Sequence, residues 1–241
     1  MSVTSRYKEA WEGFWREAPG EQGAVFWDAE PVLTAGVHLA RFEPRLVDFE
    51  LPLIDLGCGN GTQTRFLAER FTRVVGTDIS AAALDHARRA DPEGAAEYRL
   101  LDSAERSEVE ALHAELGDVN IYMRGVLHQC EADDRQALVD GIATLLGERG
   151  RALLVELSET ARPVLMGLAQ GPEGPPPKLR PVLAHGIAPG EVADAAVPVY
   201  LGAAGLTVFG SGELPLITTE YTAEGIRIEL PSAWYVVGRE S

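Results

Sequence analysis

Lysine is nearly absent from this chain, and positive charge as a whole is scarce. Lys8 and Lys178 are the only lysines in 241 residues, and 21 basic residues face 37 acidic ones, for a net charge of −16. The adjacent pair Arg88 and Arg89 is typical of the solvated face of a helix. Because such a surface repels polyanions, we expect no nucleic acid partner.

Cysteine is also rare. Cys58 and Cys130 are isolated, so the chain has neither a disulfide framework nor a cysteine-based metal motif. No acids and histidines have metal-ligand spacing, and Asp133 and Asp134 are typical of a helix start, where negative charge is favourable. The sequence predicts reduced thiols and no bound metal.

Long apolar runs are missing. No segment approaches membrane-spanning length, and the polar N-terminus lacks the apolar centre of a signal peptide. We therefore expect no membrane contact and a cytoplasmic location. With 46% hydrophobic residues, the chain can bury a full core, and we predict a single domain over 1–241.

One short stretch carries the strongest signal. An apolar strand from Leu53 ends in Asp55-Leu56 and is followed by Gly57, Gly59 and Gly61, and Thr62 to Glu69 then has the pattern of a helix. Glycines let the backbone turn sharply and approach a ligand, and a helix N-terminus follows the turn. This arrangement predicts a binding site for an adenosyl ligand.

Two other nucleotide motifs are excluded at the same place. The dinucleotide fingerprint needs a third glycine where this chain has Thr62. A phosphate-binding Walker loop needs Gly-Lys-Ser or Gly-Lys-Thr, and neither follows here. Binding of NAD and nucleotide hydrolysis are therefore disfavoured.

Strands and helices alternate after the loop. A second strand, Arg73 to Asp78, ends in an acid suited to a ribose diol. A third strand candidate, Ala96 to Leu101, precedes Asp102, and a fourth covers Val119 to Met123. The alternation predicts βαβ units and a parallel sheet.

With these motifs the sequence resembles the class I S-adenosylmethionine-dependent methyltransferases. The glycine loop matches their first motif, Gly76 to Ser80 the second, and Leu101 to Ala104 the third, and the resemblance covers Leu51 to Leu157. It implies a doubly wound, seven-stranded Rossmann-like α/β sheet, mostly parallel with an antiparallel last strand. It also implies S-adenosylmethionine as cofactor and S-adenosylhomocysteine as product.

The resemblance assigns roles in the first motif. Gly57 and Gly59 would pass the methionine part of the cofactor, and Asp55 would fix the loop and face the ammonium group. Cys58 belongs to the same cofactor site, as a small loop filler rather than a nucleophile.

The later motifs receive roles in the same way. Asp78 would bind the ribose hydroxyls, Ile79 would pack on the adenine, and Asp102 with the Ser103 backbone would read the adenine edge. Arg124 is also placed in the cofactor site. Two other roles stay open for it, pairing with an acidic group of the substrate and capping the following helix while facing solvent.

The N-terminal region, 1–45, is predicted to be a helical cap. Tyr7, Trp11, Phe14 and Trp15 share one face of a helix from Ser5 to Glu17. A second aromatic pair ends in Trp27. We predict that Trp15 and Trp27 contact the substrate, with core packing as the alternative.

The chain after the cofactor-binding core, 51–157, contains an insertion. Residues 161–189 include a proline-rich run, and their length favours a lid over a linker. His185 is predicted to contact substrate there, and the apolar residues are expected to pack: Val164, Leu165, Met166, Leu168, Val182 and Leu183.

Residues 190–241 are predicted to complete the sheet. We expect a helix over Gly190 to Ala204, then strands over Leu206 to Glu213 and Ile226 to Val237. Leu214 to Thr222 is assigned as an extension of the first of these strands.

The candidate general base is His128, which follows the fourth strand at the cofactor cleft. Its alternative is a structural role in the loop or cofactor site. Glu156 and His185 are second choices, and the remaining histidines are expected on the surface or in packing: His38, His86 and His113.

The resulting prediction is a methyltransferase acting on a small organic molecule, in bacterial specialised metabolism. The alternatives are an enzyme of the same fold and cofactor that catalyses a rearrangement or cyclisation, and a non-catalytic cofactor-binding module. Nothing in the sequence identifies the acceptor atom.

Overall fold

The computed structural model describes residues 3–171, 174–188 and 190–240. Its nine strands, within these residues, are β1 (Leu53–Leu56), β2 (Val74–Asp78), β3 (Glu97–Leu100), β4 (Asn120–Arg124), β5 (Arg151–Leu157), β6 (Thr207–Glu213), β7 (Leu216–Tyr221), β8 (Arg227–Leu230) and β9 (Ser232–Gly238).

The helices in the described residues are α1 (Val3–Glu17), α2 (Ala35–Phe42), α3 (Thr62–Ala68), α4 (Ala81–Ala90), α5 (Arg106–Leu116), α6 (Arg135–Leu146), α7 (Ala161–Ala169), α8 (Arg180–Ala184) and α9 (Ala196–Ala203). Three 3₁₀ turns cover Pro31–Leu33, Glu43–Arg45 and Leu127–Gln129. No helix in this part of the chain is both long and apolar enough to cross a membrane.

Seven strands form the main sheet, in the order β3-β2-β1-β4-β5-β9-β6. Strands β1 to β5 are parallel, and β9 runs antiparallel between β5 and β6. The predicted seven-stranded, mostly parallel sheet with an antiparallel last strand is confirmed. The strand order reverses between β1 and β4, and ligands bind at this point in doubly wound sheets.

Helices cover both faces of this sheet, so its central strands are largely apolar. On one face Ile54 and Ile121 pack against α5, α6 and α9. On the other face Leu53 and Tyr122 pack against α2 and α3. Burial on both faces explains why these strands are continuous apolar runs in the sequence.

The C-terminal strands differ from the prediction. Leu216–Tyr221 does not extend β6 but pairs antiparallel with Arg227–Leu230, as a separate two-stranded sheet. The predicted strand from Ile226 to Val237 is divided at Pro231, which has no N–H to donate to a ladder. The predicted helix from Gly190 begins only at Ala196. Gly190 N donates to the His128 carbonyl at 2.7 Å, which ties this residue to the turn that carries His128.

The predicted insertion contains α7 and α8, and its residues 172, 173 and 189 lie outside the described part. Its apolar side chains divide into two groups. Leu165, Leu168, Leu179 and Val182 join a cluster with Phe14 and Trp15 of α1 and with Leu216 and Leu230 of the hairpin. The expected packing of Val164, Met166 and Leu183 is wrong, since these side chains are exposed. We call α7, residues 178–187 with α8, and the β7–β8 hairpin the cap layer, and α1 packs against it.

Candidate active site

A cavity of about 240 Å³ lies between the carboxyl edge of the main sheet and the cap layer. Twelve residues singled out in the sequence border it: Trp15, Trp27, Asp55, Gly57, Cys58, Gly59, Asp78, Ile79, Asp102, Ser103, Arg124 and His128. Residues far apart in sequence therefore meet in one place. Among the candidate site residues named from the sequence, His185 and the second-choice base Glu156 do not border it.

The glycine loop is held to β2 by its own backbone. Gly57 N and Cys58 N both donate to the Thr77 carbonyl, at 2.8 and 2.9 Å. Gly57 and Gly59 have φ values of +78° and +55°, which L side chains rarely adopt.

Side chains of other segments approach these glycines closely. A Cβ on Gly57 would collide with Val126, and one on Gly59 would lie 2.9 Å from the Trp15 ring. The loop therefore needs glycine for packing against the segment after β4 and against α1, as well as for its backbone conformation.

Asp78 lies beside this loop with both carboxylate oxygens anchored. Gly59 N donates to Oδ2 and Ser80 N to Oδ1, each at 2.9 Å. Each oxygen keeps a further lone pair, which leaves the carboxylate able to accept from a ligand diol. Desolvation by burial raises the Asp78 pKa to about 6, against the opposing effect of the backbone N–H donors.

Asp55 joins β1 to α3. The Thr64 hydroxyl donates to Asp55 Oδ2 at 2.6 Å, and the carboxyl group is buried. Desolvation raises its pKa to about 6, while the Thr64 hydrogen bond and the Arg124 charge act in the opposite direction. Ligand cations near this carboxylate would be favoured.

Arg124 extends into the cavity wall from the end of β4. Its Nη2 donates to the Trp27 carbonyl at 2.9 Å, whereas Nη1 is buried and has no partner among the described residues. The guanidinium group therefore neither caps the following turn nor faces solvent. A buried donor of a cationic group without an acceptor is costly, so an anionic ligand group is expected there.

Near Arg124, the buried rings of His38 and Tyr122 form a pair. His38 Nδ1 and the Tyr122 hydroxyl are 2.8 Å apart. Desolvation, followed by the charges of Arg124 and Arg41, lowers the His38 pKa to about 3. His38 is therefore a neutral packing residue, in line with its sequence assignment.

Asp102, which follows β3, borders the cavity. Its Oδ1 accepts from Ala104 N at 3.1 Å, and burial raises the pKa of the carboxyl group. Tyr7 of α1 borders the same region, and its hydroxyl donates to Gln129 Oε1 at 2.7 Å. This contact ties α1 to the turn that carries His128.

His128 forms a buried pair with Glu156 from β5. His128 Nδ1 and Glu156 Oε2 are 2.7 Å apart, and Glu156 Oε1 accepts from Val126 N and Leu127 N, both at 2.9 Å. An ionised carboxylate only accepts, so Nδ1 carries the proton of a neutral ring and Nε2 is left as the acceptor. Glu156 thus fixes both the turn and the tautomer.

The free edge of the His128 ring lies at the cavity. An ideal Cβ on Gly125 would be 3.3 Å from His128 Cε1 and 3.8 Å from Leu216 Cδ1, so the ring and the hairpin both lie beside Gly125. His128 and Leu157 also border a second cavity of about 220 Å³, between the start of α7 and residues 190–193.

His185 does not reach the cavity wall, contrary to its predicted substrate contact. Its Nε2 is 3.1 Å from Glu17 Oε2, and its ring meets Phe14 edge-on at 6.1 Å between centroids. The ring is turned towards α1 because that helix supplies both a carboxylate and an aromatic partner. Its role is to hold α8 against α1.

Several functional positions were missed in the sequence. Asp28 is buried and accepts from Gly23 N and Asn60 Nδ2, both at 2.8 Å, which ties the segment before α2 to the glycine loop. Gln63 Nε2 donates to the Ala29 carbonyl at 3.0 Å. Asn60 lies inside the first motif, so its place there could have marked it as a site residue. Asp28 has no local sequence pattern that would mark it.

No group of three or more histidine, cysteine or acidic side chains is arranged to hold a metal ion in the part of the chain that the structure describes. The predicted absence of a bound metal stays a prediction.

Comparisons with known proteins agree with this site. A family model described as a methyltransferase domain matches residues 53–150. A comparison with curated proteins finds no match.

Solved structures resemble the whole chain. An S-adenosylmethionine-dependent methyltransferase from Anabaena variabilis is 31% identical, with a TM-score of 0.89, over 100% of this chain and 96% of that one.

Two more distant structures share the fold. The magnesium protoporphyrin IX methyltransferase from Synechocystis, with bound S-adenosylhomocysteine, has 17% identity and a TM-score of 0.61 over 99% of this chain and 98% of that one. The geranyl diphosphate C-methyltransferase from Streptomyces coelicolor has 13% identity and a TM-score of 0.66 over 100% of both chains.

Proposed function

The chain belongs to the S-adenosylmethionine-dependent methyltransferases, and from this membership we propose that it methylates a small organic molecule in bacterial specialised metabolism. Its cofactor is S-adenosylmethionine. Proteins of this fold that are named for magnesium protoporphyrin IX and geranyl diphosphate support a small acceptor. One observation carries the proposal. The wall of a single cavity holds both the groups for the cofactor and an imidazole with a free nitrogen.

The residues present fit the cofactor's charges and shape. Asp55 suits the ammonium group, and the unpartnered Nη1 of Arg124 suits the carboxylate of the methionine part. Asp78 has acceptor capacity left for the ribose diol. Ile79 and Asp102 border the same cavity and would meet the adenine. Arg124 is thereby proposed as a cofactor residue rather than a substrate residue.

Bound at this place, the cofactor supplies a methyl group already activated by its sulfonium. The protein has to align the acceptor, exclude water and remove a proton where the acceptor carries one. Aromatic side chains of α1, Trp11 and Trp15, border the cavity and keep water out. Trp27 borders it from the segment that precedes α2 and contacts the acceptor in this proposal.

His128 is the proposed general base. Glu156 holds Nδ1 at 2.7 Å, so the proton of the acceptor goes to Nε2, and the carboxylate beside the ring stabilises the imidazolium that forms. Glu156 acts through the ring and is a positioning residue. It does not border the main cavity.

A test combines binding with turnover. Calorimetric titration with S-adenosylmethionine measures affinity, and mass spectrometry then follows S-adenosylhomocysteine and a product heavier by one methyl group across a panel of small acceptors. A rearrangement or cyclisation would give product without S-adenosylhomocysteine, and this result would contradict methyl transfer.

A further inference from the structure

The cavity wall is chemically divided. Its charged side chains come from α1, the segment before α2 and the carboxyl edge of the sheet with its following loops. The cap layer opposite contributes Leu165, Leu179, Val182, Ile187, Leu216 and Leu230. We call these six residues the apolar half of the cavity.

Polar residues of the cap layer are directed elsewhere. Arg162 pairs with Glu191, Arg180 Nε donates to the Pro175 carbonyl at 2.7 Å, and Arg227 pairs with Glu30 at 2.9 Å. Lys178 Nζ donates to the Thr219 carbonyl at 3.2 Å. Among the described residues of α7, α8 and the hairpin, no charged side chain reaches the cavity wall.

The cations that do border the cavity, Lys8 and Arg124, come from α1 and the sheet edge. Lys8 lies near Asp102, where its charge opposes the rise that burial causes in the pKa of that carboxyl group, and the cofactor's carboxylate accounts for Arg124 in the proposed function. An acceptor with a phosphate or carboxylate would place that charge against aliphatic side chains without a counter-ion, at a high desolvation cost. The apolar half therefore selects against anionic acceptors.

One polar side chain, His128, lies next to the apolar half. The free edge of His128 lies beside Leu216 at Gly125. We propose, on the basis of the proposed function, that the acceptor is an uncharged, largely apolar molecule that lies against the apolar half and presents one X–H group to His128 Nε2.

The step balances in atoms and electrons. The X–H bond breaks, the proton goes to Nε2, and the electron pair left on X forms the new bond to the methyl carbon. The pair of the broken carbon–sulfur bond stays with sulfur. No oxidant, reductant or further co-reactant is required.

A matched pair of probes tests the substrate class. The probes are 2-naphthol and 6-hydroxy-2-naphthoate, which share the ring and hydroxyl group and differ by one carboxylate. Binding of each is measured by equilibrium dialysis at pH 7.5 with saturating S-adenosylhomocysteine. We expect the neutral probe to bind at least about 10-fold more tightly, as a buried, unpaired charge predicts.

Two variants on α7 locate the effect. Leu165 borders the cavity, whereas Leu168 packs in the same cluster outside the wall, and both are half-buried. Leu165→Lys is expected to reduce the preference for the neutral probe about 10-fold or reverse it, because it adds a counter-ion. Leu168→Lys is the control and keeps the preference.

Three results overturn the inference: equal or tighter binding of the naphthoate by the unaltered protein, binding of neither probe, or an identical effect of both variants. The proposed function fails in a different measurement, when cofactor binds but no acceptor yields S-adenosylhomocysteine. Dialysis requires no turnover, so the two failures are distinguishable.

Discussion

Two carboxylates border the cavity, Asp55 buried and Asp78 half-buried. Burial raises the pKa of Asp55 and Asp78 to about 6 each. A positively charged ligand that replaces the lost hydration favours their ionised form. The ionised forms of Asp55 and Asp78 are therefore destabilised in the free protein and stabilised in the complex.

Removal of Asp78 tests this at one position. Asp78→Ala should weaken S-adenosylmethionine binding by about 1.5 to 3 kcal/mol, the range for charge-assisted hydrogen bonds. Calorimetric titration measures it, and Asp85→Ala is the control because this side chain of α4 is 62% exposed. Equal affinities of the two variants would remove Asp78 from the site.

The raised pKa values also predict a pH effect. For a carboxyl group whose pKa is raised by folding, the contribution to stability is present below its ordinary value of 3.8 and is lost as pH rises through about 6. Cofactor binding favours the ionised form, so near pH 6 it should release on the order of one proton in total. The binding enthalpy should then depend on the ionisation enthalpy of the buffer.

Titrations at pH 6 in two buffers of different ionisation enthalpy measure this release, and the buffer dependence should vanish at pH 8. Asp78→Asn should remove about half of the effect, since one of the two carboxyl groups is lost. Identical enthalpies in both buffers at pH 6 would contradict the raised pKa values.

Individual residues were predictable where a local motif marks them. Asp55, Asp78 and Asp102 each end or follow a strand, and all three border the cavity. His185 could not be placed from sequence because its orientation depends on Glu17, 168 positions away.

At the scale of elements, the glycine loop combines a strained backbone with close contacts. Gly59 and Gly94 both have positive φ, but only a Cβ on Gly59 would meet a neighbour, the Trp15 ring. Gly59→Ala and Gly94→Ala should each cost about 1 to 3 kcal/mol of stability, from the strain of a left-handed backbone. Only Gly59→Ala should weaken cofactor binding, because the Trp15 ring must move.

Thermal unfolding and calorimetric titration separate these two effects. If Gly59→Ala bound the cofactor as tightly as Gly94→Ala does, the glycine loop would not be part of the cofactor-binding site.

Glu12 holds α1 against the start of α4, beside the cavity. Glu12 Oε2 accepts from the Ser80 hydroxyl at 2.7 Å and from Ala82 N at 3.1 Å, at the start of α4. Loss of a capping contact costs about 1 kcal/mol. Glu12→Ala should therefore speed dissociation of S-adenosylhomocysteine about 5-fold.

Stopped-flow tryptophan fluorescence measures this rate, since Trp11 and Trp15 border the cavity. Glu9→Ala on the exposed face of α1 is the control. Equal rates for the two variants would show that α1 does not control release.

Elements were predictable in proportion to their local signals. The parallel strands β1 to β4 follow from short strand patterns that alternate with helices along the chain. The β7–β8 hairpin was missed because it pairs outside the main sheet, and its separation from β9 depends on Pro231.

At the scale of the whole molecule, the sheet and the cap layer have different origins in the sequence. The sheet was predictable because its motifs follow one another along the chain. The cap layer depends on contacts between distant segments, such as the Tyr7 hydroxyl with the Ala188 carbonyl, 181 positions apart. Sequence periodicity gives the faces of these helices but not their partners.

The sheet and the cap layer also supply different kinds of side chain to the cavity. The sheet edge supplies the carboxylates and the Arg124 guanidinium, the cap layer supplies aliphatic side chains, and His128 lies where they meet. The account therefore depends most on the role of His128. Its buried pairing with Glu156 also fits a purely structural role, which predicts a different response to substitution.

The deciding measurement is the pH profile of methyl transfer at saturating cofactor for the unaltered protein and for His128→Gln, with an acceptor found by S-adenosylhomocysteine release. Removal of a general base predicts turnover lower by about 100-fold or more, unchanged cofactor affinity and loss of the acid limb of the profile. Full activity of His128→Gln at every pH would contradict the account. So would a variant that loses stability or cofactor affinity while its remaining activity keeps the same pH dependence.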